Sequence, residues 1–254
     1  MIKIGLSNAA DAVISNNTIS DNQNNIRVGQ NSFRVLITFN LITDSTSAGI
    51  YFNDSPSSEG IFEGNTIKDS GNYGISIVDS DDFYFGNNTI SGSGQYDLRF
   101  NAASDRNVAV NTTFSTIYVH QNSDLTIKEY FVLDVNDASG ANMSGIDIKV
   151  MEDDVQKYAS SYFGGSDPKT DSYGTIETFL IDYKKYAGSS TPTAVPIYVT
   201  AKSNDWVETF TSDPSSTIQI TVPDLRVQNT RTGILTYHIQ TSIDNANEGD
   251  TIRA

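Results

Sequence analysis

The chain contains no cysteine. That excludes disulfide staples, thiolate metal sites and cysteine nucleophiles. Histidine is nearly as scarce: His120 and His238 are the only two, far apart in the sequence, which argues against His-rich metal sites and histidine-based triads. Met1, Met143 and Met151 are too scattered to form a soft-metal cluster. Cationic residues are also few. Sixteen Lys and Arg face 31 Asp and Glu, giving a net charge of −15, so the surface repels nucleic acid and anionic lipid. No apolar run approaches the ~18 residues of a membrane span. Phosphate-binding glycine loops, nucleophile elbows and His-Glu-x-x-His motifs are missing. Hydrophobic residues make up 37%, low for a compact globule but enough for a thin-cored, elongated fold.

What the chain does have is a repeat. Asn17-Thr-Ile, Asn40-Leu-Ile, Asn65-Thr-Ile and Asn88-Thr-Ile recur at spacings of 23, 25 and 23, with a degenerate copy at Asn111-Thr-Thr. A second column reads apolar, variable, apolar: Ile2-Lys-Ile4, Ile26-Arg-Val28, Ile50-Tyr-Phe52, Ile75-Ser-Ile77 and Leu98-Arg-Phe100. Such alternation marks strands with one buried face, and directs Lys3, Arg27, Tyr51, Ser76 and Arg99 outward. A third column holds Ile14, Ile37, Phe62 and Phe85, preceded two residues earlier by Ala12, Val35, Gly60 and Phe83. There the last copy, Val108 and Val110, fits only with a one-residue slip. The near-constant period predicts stacked coils of parallel strands about 4.8 Å apart, about five coils over residues 1–121.

The Asn file has a structural explanation: Asn tolerates left-handed bends, and stacked amides hydrogen-bond from coil to coil. It also has a functional one. Asn16, Asn53, Asn87, Asn111 and Asn142 head Asn-x-Ser/Thr sequons, candidate glycosylation sites.

These Asn-x-Thr-Ile and Gly-Ile-x-Ile alternations resemble the right-handed parallel β-helix repeats of the pectate-lyase-like superfamily, with NosD-type and archaeal surface proteins as the nearest likeness. The resemblance implies an all-β fold in a secreted or cell-surface protein. NosD-type relatives are associated with copper-site maturation, but the chain carries no His, Cys or Met cluster for it. Pectin-active relatives use flank acids with calcium or as a hydrolytic pair. The matching acids here are Asp79, Asp81 and Asp82, with Asp54, Glu59 and Asp105 as neighbours in sequence-repeat terms. They sit in a predicted turn, where Asp is also common for backbone reasons. No cofactor is expected beyond calcium at those acids.

After residue 121 the period stops. Strand patterns at 125–135, 144–150, 175–181, 196–201 and 216–222, separated by Asp-x-x-Gly turns at Asp137 and Asp171, predict a β-sandwich over 122–224. It resembles immunoglobulin-like or prealbumin-like surface modules. Trp206 with Tyr198 forms a candidate glycan platform there, or else part of the core. Over residues 225–254, Ile239, Ile243 and Ala246 fall at helical spacing and Gly249 is a suitable stop. This resembles the cap helix that opens a β-helix. Both ends therefore read as cut from a longer array, with any secretion signal lying upstream.

The expected function is a non-catalytic segment of a modular surface-layer, adhesin-like or matrix protein. It would act as a rigid spacer or contact surface toward polysaccharide or neighbouring modules. Arg27, Tyr51, Arg99 and Trp206 are its candidate glycan contacts, and exposed strand edges invite end-to-end self-association. The competing readings are a polysaccharide lyase, hydrolase or epimerase fragment, and a carbohydrate-binding module.

Overall fold

The computed structural model describes residues 3–55, 59–204, 206–213, 215–223, 227–229, 235–236 and 252–253. The chain divides into two compact units, 1–129 with 182–195, and 130–181 with 196–254.

The first unit is a parallel β-helix of about five coils. The first four coils each contribute one strand to each of three sheets, and the fifth contributes a strand to the first two. The first sheet stacks Ile4–Ser7, Asn24–Gly29, Ala48–Ser55, Tyr73–Ser80, Tyr96–Asn101 and Ile117–Val119. The second begins Val13–Ser15, Leu36–Thr38, Ile61–Glu63, Tyr84–Gly86 and Asn107–Val110. The third holds Thr18–Ser20, Leu41–Thr43, Thr66–Lys68 and Thr89–Ser91. In the first sheet Ile26, Ile50, Ile75 and Leu98 lie in one parallel register, as do Val28, Phe52, Ile77 and Phe100. All eight side chains are fully buried. Each buried side chain of this size is worth roughly 1.5–3 kcal/mol before the entropy of ordering it. Repetition thus gives a narrow core its stability.

The Asn file is a continuous ladder. The Oδ1 of Asn40, Asn65 and Asn88 each accepts the backbone N–H of the preceding ladder Asn at 3.0 Å and its Nδ2 at 3.0–3.1 Å. The left-handed corner is a different file, one residue earlier: Asn16, Phe39, Gly64, Asn87 and Asn111 all have φ between 46° and 63°. So the ladder Asn is selected for its amide rather than for a bend. Phe39 tolerates this costly conformation while its ring lies over Gly64, where any Cβ would stand 2.6 Å from it.

Two registers differ from expectation. Ile4 pairs with Ile26 and Gly5 with Arg27, so Gly5 rather than Lys3 occupies the outward file. In the fifth coil Tyr84, Phe85 and Gly86 pair with Val108, Ala109 and Val110. That coil is one residue longer than the 23-residue spacing assumed. The ladder therefore ends on Thr112, whose Oγ1 accepts from Asn88 N at 3.3 Å. Asn111, expected in the ladder file, takes the corner instead.

The β-helix does not stop at residue 121. Asp124–Phe131 continues the second sheet, with Leu125 on Asn107. Phe179–Ala187 and Thr193–Ala194 follow in the same sheet. Tyr186 joins the hydrophobic core, Lys128 pairs with Asp182 at 2.5 Å, and Val119 N donates to Ser190 Oγ at 3.1 Å. The covering hairpin is antiparallel (Lys184 with Ala194), so it carries no trace of the repeat.

The second unit is also β. Val155–Ala159, Asp147–Glu152, Ile197–Ser203 and Trp206–Ser212 form an antiparallel sheet. Leu133–Asp137 and Ile218–Val222 form a parallel pair. Both sheets bury alternate residues: Ile148, Val150, Ile197 and Val199 in one, Leu133, Val135 and Ile220 in the other. The pattern expected over 125–135 is split into two strands at Val132. Asp137 and Asp171 close their turns by accepting backbone N–H bonds from Ala141 and Thr175, each at 2.9 Å. The helix expected over 237–251 lies outside the described residues. Ile252–Arg253 forms a short strand antiparallel to Val227–Asn229.

Candidate functional site

Because Ile26 and Val28 point inward, the residue between them points out. Register then aligns Arg27, Tyr51, Ser76, Arg99 and Tyr118 down the outer face of the first sheet. Arg27 stands over the Tyr51 ring at 5.9 Å. The Tyr51 hydroxyl donates to Asn53 Oδ1 at 3.2 Å. Three rungs along, about 14 Å at the usual spacing, Arg99 lies 4.7 Å over the Tyr73 ring and donates to Ser76 Oγ at 3.1 Å. Tyr96 and Tyr118 pack with their ring centroids 5.5 Å apart. The face is thus a strip of half-buried tyrosines, two of which, Tyr51 and Tyr73, are contacted by arginines. Stacked cation and ring geometry of this kind is worth ~0.5–2 kcal/mol per contact and stiffens both partners.

Arg27, Tyr51 and Arg99 therefore share one face, as expected from alternation. Tyr73, Tyr96 and Tyr118 were not legible as part of it. Tyr73 and Tyr96 precede the alternating triplet, across the inward-facing Gly74 and Asp97. Tyr118 lies in the coil where the Asn signal has faded. Trp206 belongs to the second unit. It pairs with Ser203, while Tyr198 pairs with Thr211. An odd separation puts Trp206 and Tyr198 on opposite faces of their sheet, so the two do not form a common platform. Trp206 instead sits 6.2 Å from Phe210.

The acidic turn residues have local explanations. Asp79 and Asp82 are left-handed corner residues, stacked in files with Asp54 and with Arg34, Glu59 and Arg106. Arg106 grips Asp82 through two bonds of 2.6 and 2.7 Å and reaches Asp81 at 3.3 Å. Asp81 also accepts the Asp105 backbone N–H at 2.8 Å. One file holds the matching pair Asp11–Arg34, at 2.6 and 2.8 Å. Among the described residues no group of three or more His, Cys, Asp or Glu is placed to hold a metal ion.

The Arg106 hydrogen bond holds the Asp82 carboxyl below the ordinary carboxylate range. Burial, then the Asp124 and Asp81 charges, push the Asp105 carboxyl up. The Asp11 carboxyl is lowered by its Arg34 bond, and Asp137 and Asp171 by bonds within their turns. A lowered folded-state pKa stabilises above the unfolded value and that stability is lost as pH falls through it. Asp105 has the opposite sign, favouring the fold when protonated, and offsets part of the loss. The net expectation is a flat stability between pH 7 and 5 and a fall below about pH 4. In Asp82→Asn the fall should begin from a lower plateau and be shallower, as followed by circular dichroism during acid titration. An equal slope in both proteins would show that Arg106–Asp82 contributes nothing.

The sequons Asn16, Asn87 and Asn111 fall in one exposed corner file, with Asn111 Nδ2 donating to Asn87 Oδ1 at 2.7 Å. Asn53 lies on the outer face of the first sheet, and Asn142 is exposed in the second unit. Among the described residues no helix is long and apolar enough to cross a membrane.

The family model for the right-handed β-helix region matches residues 2–145. No curated protein matches the chain, and no solved structure does.

Proposed function

The chain belongs to the right-handed β-helix family, and from that premise we propose that it is a non-catalytic segment of a modular secreted or cell-surface protein. The β-helix serves as a rigid spacer that presents one glycan-contact face. The second unit is its partner module, an immunoglobulin-like or prealbumin-like sandwich. The observation that carries the reading is the outer strip of the first sheet: Tyr51, Tyr73, Tyr96 and Tyr118 with Arg27 and Arg99. Half-buried tyrosines offer apolar ring faces and hydroxyls together, the surface a pyranose ring with equatorial hydroxyls needs. Supporting the non-catalytic choice, Asp81 and Asp82 are committed to Arg106 and to the Asp105 backbone, leaving less freedom for proton transfer.

Affinity electrophoresis through gels containing plant, algal or bacterial polysaccharides tests this. Retardation is expected for the native chain and should weaken roughly tenfold in a Tyr96→Ala/Tyr118→Ala double variant, the loss of two stacking contacts. Retardation that is equal in both proteins would remove the strip from consideration. The lyase or hydrolase reading is examined separately, by release of unsaturated or reducing sugars from uronic-acid polymers with and without calcium. Turnover abolished by Asp81→Ala or Asp82→Ala would overturn the non-catalytic reading.

A further inference from the structure

On the second sheet, register aligns Val13, Leu36, Ile61, Tyr84 and Val108 down the outer face. Positions that face solvent on a one-sided sheet are ordinarily polar; here all five are apolar or aromatic. Val13 is 62% exposed and Ile61 39%. The Tyr84 ring lies over Gly86, where a Cβ would stand 2.7 Å from it. Gly86 has no positive φ that would require glycine, so its smallness serves the ring. The result is a level stripe about 19 Å long, four steps of ~4.8 Å. It lies on a different sheet from the tyrosine strip and owes nothing to the glycan reading.

A charged file borders one edge of the stripe, two residues earlier on each coil: Asp11, Arg34, Glu59, Asp82 and Arg106. All five occupy the same left-handed corner. Asp11, Arg34 and Glu59 line one shallow groove of about 440 Å³ with Val13, Leu36 and Ile61. Within the chain Arg34 pairs with Asp11, and Arg106 with Asp82. Down the file the signs run minus, plus, minus, minus, plus. A second copy turned about a two-fold axis along the strand direction presents the same file in reverse. Centred on Glu59, that reversal sets Arg34 opposite Asp82 and Asp11 opposite Arg106, each twice. Sliding one copy by a coil loses the match: Asp11 then meets Asp82, or Arg34 meets Arg106. With the two β-helices parallel, the file would face the other rim instead, Ser15, Thr38, Glu63, Gly86 and Val110, which holds no cation.

We infer that this face is the interface between two copies of the chain, their β-helices side by side and antiparallel, with the two-fold axis at Ile61. The stripe supplies the attraction by leaving water. The charged file fixes direction and register, the usual part of exposed charges in an interface. A second copy carries the complementary order by symmetry, since a two-fold contact sets one patch against itself. Glu59 meets its own counterpart at the axis, the one adverse contact in that file. The stripe follows strands of three residues, so the face is only about 10 Å wide. It buries less than the ~1,000 Å² of a stable interface, and the association is correspondingly weak, with Kd of roughly 100 μM.

Sedimentation equilibrium of the whole chain, from about 10 to about 500 μM, should show a monomer–dimer equilibrium. Ile61→Ser should weaken it by about tenfold or more. That side chain points outward, so the fold should persist, as circular dichroism verifies. Glu59→Gln removes the like charges at the axis and should tighten the dimer several-fold, an effect that shrinks at high salt. The sharpest comparison exchanges charges. Arg34→Glu alone meets Asp82 of the second copy, and Asp82→Arg alone meets Arg34, so each variant should stay monomeric. Mixed in equal amounts, the two variants oppose unlike charges at both places, and the dimer should return. A role confined to one chain's own stability would give no such rescue. A chain that stays monomeric throughout leaves the stripe to some other protein and overturns the proposal. So does a dimer indifferent to Ile61→Ser, or a mixture no more associated than its components.

Discussion

Asn65→Ala should cost the β-helix about 3–5 kcal/mol, while Asn17→Ala costs less than about 1 kcal/mol. The two residues occupy the same file and differ in how many partners they leave buried. Asn65 is fully buried. Its Oδ1 accepts both the Asn40 backbone N–H and Asn40 Nδ2, at 3.0 Å each. Its Nδ2 donates to the Ile37 carbonyl at 2.7 Å and to Asn88 Oδ1 at 3.0 Å. Alanine removes every one of these and admits no water to replace them. Each buried polar group left without a partner costs about 1–3 kcal/mol, and such costs are sub-additive within one network. Asn17 is exposed, and in Asn17→Ala the Asn40 Oδ1 keeps its bond from the residue 17 backbone N–H. Urea denaturation of the two variants measures the contrast. Equal losses would mean that the ladder is a consequence of stacking and adds little to it.

That ladder was legible in the sequence because its period was nearly constant and its chemistry unusual. What was not legible was which residue makes the bend. Adjacent positions such as Asn16 and Asn17 are both Asn, and only backbone angles separate the corner from the ladder. Register at the ends was ambiguous for a related reason. Ile2, Ile4 and Leu6 alternate equally well, so a shift of two residues preserves every inward position. The turn around Ala102–Asp105 absorbed one further residue that no hydrophobic pattern records. The covering hairpin at 182–195 was illegible because antiparallel strands from a distant segment complete the sheet without repeating its motif. For the candidate site, alternation located Arg27, Tyr51 and Arg99. It could not reach Tyr73 and Tyr96, which become outward only through the bend at Gly74 and Asp97. Nor could it show that Tyr198 and Trp206 part company across a sheet, since that depends on where a hairpin turns.

The file Ala12, Val35, Gly60 and Phe83 shows how one coil's side-chain volume is set by the next. A Cβ on Gly60 would stand 2.3 and 2.6 Å from two ring carbons of Phe83. The ring cannot yield easily. It is stacked on Phe62 at 5.3 Å with an interplanar angle of 3°, and is edge-on to Phe52 at 4.7 Å. Gly60→Ala should therefore cost about 1–3 kcal/mol by overpacking, although Gly60 needs no left-handed backbone. Phe83→Ala should cost about 3–5 kcal/mol through the cavity it opens. The two changes address one space, so they should not add. With the ring removed, the new methyl enters a void, and the Gly60→Ala penalty should vanish or change sign. The double variant is then expected to be more stable than the sum of the singles by about 1–3 kcal/mol. A double-mutant cycle followed by chemical denaturation gives that number directly. Additive costs would show that something other than Phe83 holds Gly60 small, and that neighbouring coils are packed independently rather than as complementary layers.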